Sequence, residues 1–371
     1  MVVDTKIIFT DMESLFSSAN WSDYDNYSYY ESDTCCVGAV CTQHSSMQFE
    51  AVFIPVLYSV VLVLGLLGNG LVLAVLGQLR QGWSVTDTFI LHLAVADTLL
   101  LLTLPFWAAQ ATNEWSFGTP LCKMTGALFQ INFYCGIFLL ACISLDRYLS
   151  IVHAVQMYSR KKPWLVQTSC LCVWILCLLL SFPDWVFLQA VKDERRGGRV
   201  ECVHNYLLYY KSTEDWRLAS RLLYHVVGFL LPSAIMVFCY SCILLRLHRG
   251  TQGLKKQRAI RVILALVVAF FVSWTPYNVA LMVDTLHDRE AIKDTCDTRS
   301  ALDISLAVTS TLGYAHCCLN PVLYAFVGIK FRRHLAKMLK SLGCQLKGQV
   351  RPGSRRSSVW SESGNTSTSG F

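Results

Sequence analysis

Charge is what this sequence has least of. Asp, Glu, Lys and Arg make up 15% of its 371 residues and apolar residues 54%, whereas soluble domains carry roughly 25% charged residues. That balance excludes the two or three soluble domains which length alone would suggest, and points to a polytopic membrane protein. Basic residues are almost missing from the first fifty positions, where Asp4, Asp11, Glu13, Asp23, Asp25, Glu31, Asp33 and Glu50 face only Lys6. No apolar run lies near Met1, so no cleavable signal peptide is expected and the first hydrophobic span serves as the targeting signal. A catalytic constellation is also missing. The histidines are scattered, and His316-Cys317-Cys318 reads as interior packing rather than a metal site, so no enzyme is expected. Neither an inverted repeat nor a polar pore-lining stripe supports a transporter or channel.

Seven apolar runs are present, at 52–77, 86–109, 119–151, 164–183, 217–246, 257–284 and 302–327, each long enough to span a bilayer as a helix. Basic residues gather in alternate connections: Arg160, Lys161 and Lys162, then Arg246 to Arg261, then Lys330 to Lys340. The positive-inside rule puts these in the cytosol and the acidic N-terminus outside. The fold class is therefore an all-α membrane protein, a seven-transmembrane helix bundle with a short amphipathic eighth helix. Its expected parts are an acidic extracellular tail (1–50), the bundle (51–327), an amphipathic helix on the membrane lipid surface (328–342) and a Ser/Thr-rich cytoplasmic tail (343–371). Cys344 is a candidate for palmitoylation.

Ionisable groups at membrane depth are costly and mark function by default. Asp97 lies mid-span, with Asn69, Asn132 and Asn320 at comparable depth, a set able to meet in the bundle interior around a water or a sodium ion. Prolines at 232, 276 and 321 interrupt the last three spans, each removing a helix hydrogen bond. Asp146-Arg147-Tyr148 ends the third span, and Asn320-Pro321-Val322-Leu323-Tyr324 ends the seventh. With Asn69, Asp97, Arg147, Trp174, Pro232, Pro276 and Pro321 standing one per span, the sequence resembles the rhodopsin-like seven-helix receptors. The resemblance implies that Trp274, next to the Pro276 hinge, is a toggle below a ligand pocket, and that Pro232, Ile137 and Phe270 connect it to the cytoplasmic end. There Arg147 pairs with Asp146 at rest, and Tyr240 and Tyr324 steady the open state. Three positions depart from the family: Gly136 stands where many members have a sodium-ligating Ser, Ser273 replaces a Cys, and Lys256 replaces an acid that clamps Arg147.

Six cysteines fall outside, Cys35, Cys36, Cys41, Cys122, Cys202 and Cys296, and six allow fifteen pairings. Thr103-Leu104-Pro105, the extension of the triplet through Leu149-Ser150-Ile151-Val152-His153-Ala154, and Gly313 to Pro321 are similar to the CXC chemokine receptors. That resemblance implies disulfides Cys122–Cys202 and Cys41–Cys296. It also implies a pocket walled by Tyr58, Trp107, Phe129, Tyr277 and Tyr314, with Asp184, Asp284, Asp303 and Ser310 as polar contacts; for Asp184, neutralisation by Arg221 or Arg217 is an equal alternative. Gln110 stands in place of an acid. Tyr24, Tyr27, Tyr29 and Tyr30 lie among acids in a context suited to sulfation, on an arm that would steer a cationic protein. Asn20 and Asn26 head glycosylation sequons, while that at Asn365 falls in the cytosol.

The implied partners are CXC chemokines outside and, inside, a Gi-type heterotrimeric G protein, receptor kinases and arrestin, with no nucleic acid. The kinases would act on Ser357, Ser358, Ser361, Ser363, Thr366, Ser367, Thr368 and Ser369. No cofactor is implied beyond a possible allosteric sodium ion at Asp97. Signalling would drive chemotaxis and calcium mobilisation; the alternative is a scavenging receptor that internalises chemokine without signalling.

Overall fold

A computed structural model of the chain describes residues 43–78, 83–153, 163–206, 213–248, 254–289, 295–327 and 335–336. Helix dominates because bilayer-embedded backbone must satisfy its own hydrogen bonds. The first span is α1 (His44–Gln78). The second is α2 (Val85–Leu101) followed by α3 (Leu104–Thr112), and the third is α4 (Gly118–Tyr148), which widens into a π-helical end at Leu149–His153. The fourth is α5 (Pro163–Leu180), with a short α6 (Phe182–Phe187) after it. In the fifth, α7 (Thr213–Leu222) passes through a π-helical stretch (Leu223–Leu230) into α8 (Leu231–His248). The sixth is α9 (Leu254–Asp288) and the seventh α10 (Cys296–Val327).

Five of these spans are long and apolar enough to cross a membrane, and Trp164–Leu180 is a shorter apolar helix. The seventh has 32 residues, about 48 Å of helix. On α1, Val52, Val56, Val60, Val63 and Leu67 are exposed and form a lipid-facing stripe, while Val61, Asn69 and Val72 turn inward. The third span is the axis of the bundle: Phe133, Ile137, Leu139, Leu140 and Ile143 are fully buried.

Local chemistry sets several helix ends. Ser84 and Asp87 form a reciprocal capping box at the start of α2, satisfying two otherwise orphaned donors. The second span breaks at Leu102–Thr103, where the Thr103 hydroxyl donates to the Leu100 carbonyl at 2.7 Å and Pro105 has no N–H to give. The helices also outrun the apolar runs. α1 begins eight residues before position 52, and α7 and α10 start at 213 and 296, because polar ends continue a helix once water or neighbouring side chains take their last backbone groups.

Between α6 and α7 lies an antiparallel hairpin of β1 (Leu188–Asp193) and β2 (Arg199–His204), in register from Leu188 opposite His204 to Asp193 opposite Arg199. Its turn uses Gly197 and Gly198 at φ 71° and 74°, a region that side chains with a Cβ disfavour. The Cys122–Cys202 disulfide fastens β2 to α4. Trp115, Cys122, Leu188 and Cys202 make a small core under the hairpin, separate from the main core of the bundle.

Candidate functional site

The helices and hairpin enclose a cavity of about 830 Å³, within the range of sites that bury a small molecule or a peptide end. Tyr58, Trp107, Phe129, Asp184, Tyr277, Asp284, Asp303, Ser310 and Tyr314 all line it. Aromatic rings form one continuous wall. Tyr58 meets Tyr314 at 4.9 Å between centroids, and Phe129 meets Tyr314 at 5.1 Å and Tyr277 at 5.7 Å. Trp107 packs on Trp115 at 5.4 Å.

The cavity's carboxylates already have partners. Asp184 is bonded to His204 Nε2 at 3.0 Å, and Arg221 donates to Asp284 at 2.9 Å. Of the two arginines offered for Asp184, Arg221 and Arg217, the first is engaged one span away by Asp284, while a hairpin histidine meets Asp184. Asp303 accepts from the Gln43 side chain. Glu50 takes both terminal nitrogens of Arg196, at 2.8 and 3.3 Å. Gln110 accepts from the backbone N–H of Cys202 at 3.0 Å, so it steadies the disulfide strand. The Ser310 hydroxyl donates to its own helix, to the Ala307 carbonyl.

Below the cavity floor, Trp274 is buried against Phe129 (5.6 Å), Phe133 (4.9 Å) and Phe270 (6.2 Å). Its ring lies so close to Gly313 that an added Cβ would sit 3.0 Å away. Ile137 and Phe270 are fully buried and Pro232 is buried. Deeper still, Asn132 Nδ2 donates to one Asp97 oxygen and Asn320 Nδ2 to the other, both at 2.9 Å. Asn69 does not join that carboxylate. It donates to the backbone carbonyls of Gly65 and Cys317, at 3.0 and 2.9 Å, and so ties α1 to α10. Trp174 donates to His92 at 3.1 Å.

At the far end Arg147 lies 3.6 Å from Asp146 and also donates to the Thr86 hydroxyl of α2. Tyr148 and His153 share a hydrogen bond of 3.0 Å, and Tyr240 is buried nearby in α8.

Residues 68–324 match the family described as 7 transmembrane receptor (rhodopsin family). Over 367 residues, 98% of each chain, the sequence is 49% identical to human C-X-C chemokine receptor type 3. It is 43% identical to human C-X-C chemokine receptor type 2 over 347 residues, 93% of this chain and 94% of that one. With human C-X-C chemokine receptor type 5 it shares 39% over 363 residues, 96% of each.

The chain belongs to the chemokine receptors of the rhodopsin family.

As a chemokine receptor it is a multi-pass plasma-membrane protein, of a family that is not enzymatic and needs no cofactor. Several expected features of the receptor lie outside the described residues: Tyr24, Tyr27, Tyr29 and Tyr30, Cys35, Cys36 and Cys41, Asn20 and Asn26, helix 328–342 apart from 335–336, Cys344, the phosphorylation sites from Ser357 to Ser369, and the side chains of Lys256 and Tyr324. Cys296 is disulfide-bonded, with its partner also outside them. Other residues of this chemokine receptor were not singled out by the sequence. Thr86 holds Arg147, His204 holds Asp184, and Gln43, Glu50, Arg196 and Glu201 bind the hairpin turn to the first and seventh spans. Apart from Glu201 and Arg196, five positions apart, their partners are 20 to 260 positions away, and no local pattern announces them.

Proposed function

We propose that this receptor binds CXC chemokines and passes the signal to a Gi-type G protein, driving calcium release and chemotaxis. The acidic arm, with its tyrosines sulfated, captures a basic chemokine, and the chemokine's flexible end enters the cavity. Because the cavity acids are already paired, a ligand cation exchanges with an internal partner, with His204 at Asp184 or Arg221 at Asp284. Such exchange costs less than leaving a buried charge bare. A ligand shifts a conformational equilibrium only by its differential affinity for the two states. Contacts on Phe129 and Tyr277 bear directly on Trp274, and movement of the sixth span about Pro276 would then free Arg147 from Asp146 and Thr86. Kinases and arrestin acting on the Ser/Thr tail end the signal, and lipid contacts along 328–342 hold the tail at the membrane.

The observation that best supports this reading is the unbroken run of buried rings from the cavity through Phe129, Trp274 and Phe270. This reading does not require a sodium ion at Asp97. Both carboxylate oxygens accept amide donors, and Gly136 adds no oxygen but sits 3.1 Å, at its would-be Cβ, from the Phe270 ring.

The test is a panel of CXC chemokines on cells expressing the receptor, read by calcium release and by inhibition of cAMP, with and without pertussis toxin. Toxin-sensitive responses to at least one chemokine are expected. Chemokine uptake with no response would overturn the signalling part, and no binding by any chemokine would overturn the whole.

A further inference from the structure

The hairpin turn reaches across the mouth of the cavity and is tied down on its far side. Arg196 gives both terminal nitrogens to Glu50 of α1 and its Nε to the Gln43 side chain at 3.0 Å. Gln43 in turn donates to Asp303 of α10, and its backbone N–H bonds the Arg195 carbonyl at 2.9 Å. On the other side of Arg196, 3.9 Å away, is Glu201, whose side chain is only 2% exposed. The next residue, Cys202, is fixed to α4 by the disulfide. One end of the hairpin is thus covalently hinged at Cys202, its tip is held by polar bonds through Arg196, and the buried Glu201 carboxyl lies between hinge and tip.

We propose that the hairpin is a proton-responsive strap: Arg196 fastens its tip to the outer ends of the first and seventh spans, and protonation of Glu201 tightens that fastening over the cavity. The groups around Glu201 are Asp193, Arg196 and Arg199 of the hairpin and its turn, Glu50 of α1 and, beyond Arg196, Asp303 of α10. Burial pushes the Glu201 carboxyl up from the usual carboxylate range to about 7, Glu50 and Asp193 add to the rise, and Arg196 and Arg199 oppose it. With the tip lifted into water, Glu201 returns to its ordinary value. The fastened state therefore binds the proton more tightly, so acid favours closure, and that advantage fades as pH rises through about 7.

The strap needs no ligand and stands apart from the reading of G-protein coupling. Its test is hydrogen exchange on the full-length receptor in lipid nanodiscs, expressed as protection factors for amides 191–200 so that the intrinsic pH dependence of exchange divides out. Protection is expected to rise about tenfold from pH 8 to pH 6. Glu201→Gln should hold the high protection at both pH values, and Arg196→Gln should lower it at both. Burial raises the Asp303 carboxyl as well, to about 6, so Asp303→Asn should trim the acid end of the response and keep the larger part, centred near pH 7. A flat wild-type profile overturns the strap. So does a rise most of which survives in Glu201→Gln or disappears in Asp303→Asn, since either would place the sensor elsewhere.

Discussion

Two arginines stand at opposite ends of this receptor, and they are held in opposite ways. Arg196, its side chain 19% exposed, makes a two-pronged bond to a glutamate 146 residues away whose side chain is 7% exposed. Arg147 is 28% exposed and faces the aspartate beside it in sequence, 9% exposed, at 3.6 Å, and among the described residues it also meets a hydroxyl of α2. Bidentate charge-assisted pairs fix geometry, and breaking one when it is buried is costly. A longer pair made through one nitrogen lacks that second bond and is the weaker of the two. The first arrangement suits a fastening and the second a gate that must open for modest energy.

Substitutions can sharpen or break this contrast. The largest effect is expected from Glu50→Ala, which leaves the partly buried Arg196 with poorer partners and should cost about 3 kcal/mol of stability, read as a lowered thermal midpoint in detergent. A loss under about 1 kcal/mol would mean that the outer arginine is held no more firmly than the inner one. His204→Ala comes next. It leaves Asp184, 4% exposed, without its hydrogen-bond partner, at a cost of about 2 kcal/mol, and unchanged thermal stability would show that water replaces the ring. Smallest in stability is Thr86→Val, below about 1 kcal/mol. Its signature should lie instead in raised basal signalling, read as ligand-independent inhibition of cAMP. Basal signalling at the wild-type level would remove Thr86 from the gate.

The contrast between the arginines also explains what could be read from the sequence. Asp146 is adjacent to Arg147, so a chain-local pattern exposes that pair. Asp97, Asn132 and Asn320 could be grouped because a polar residue at membrane depth has few places to turn except the bundle interior. The spans were legible for a similar reason, since each needs some twenty apolar residues. Their ends were not, because HSSMQFE before position 51 and TEDW at 213–216 are polar enough to pass for loop. Likewise the hairpin has only twelve strand residues, and its Gly197-Gly198 turn signal is embedded among charges. Glu50 was grouped with the acidic tail because nothing near it in sequence indicates Arg196. Asn69 was expected beside Asp97 because depth gives height along a helix and not the direction of a side chain.

The π-helical stretch at Leu223–Leu230 sets the phase of the fifth span. Each residue of an α-helix turns the chain by about 100°, so deleting one residue there would rotate every side chain before it against those after it. Arg221 would swing away from Asp284, and the apolar seam of α8 would stay where it is. The extra residue in that coil lets one continuous rod present a charged face to the cavity and an oily face to the lipid, each correctly aimed.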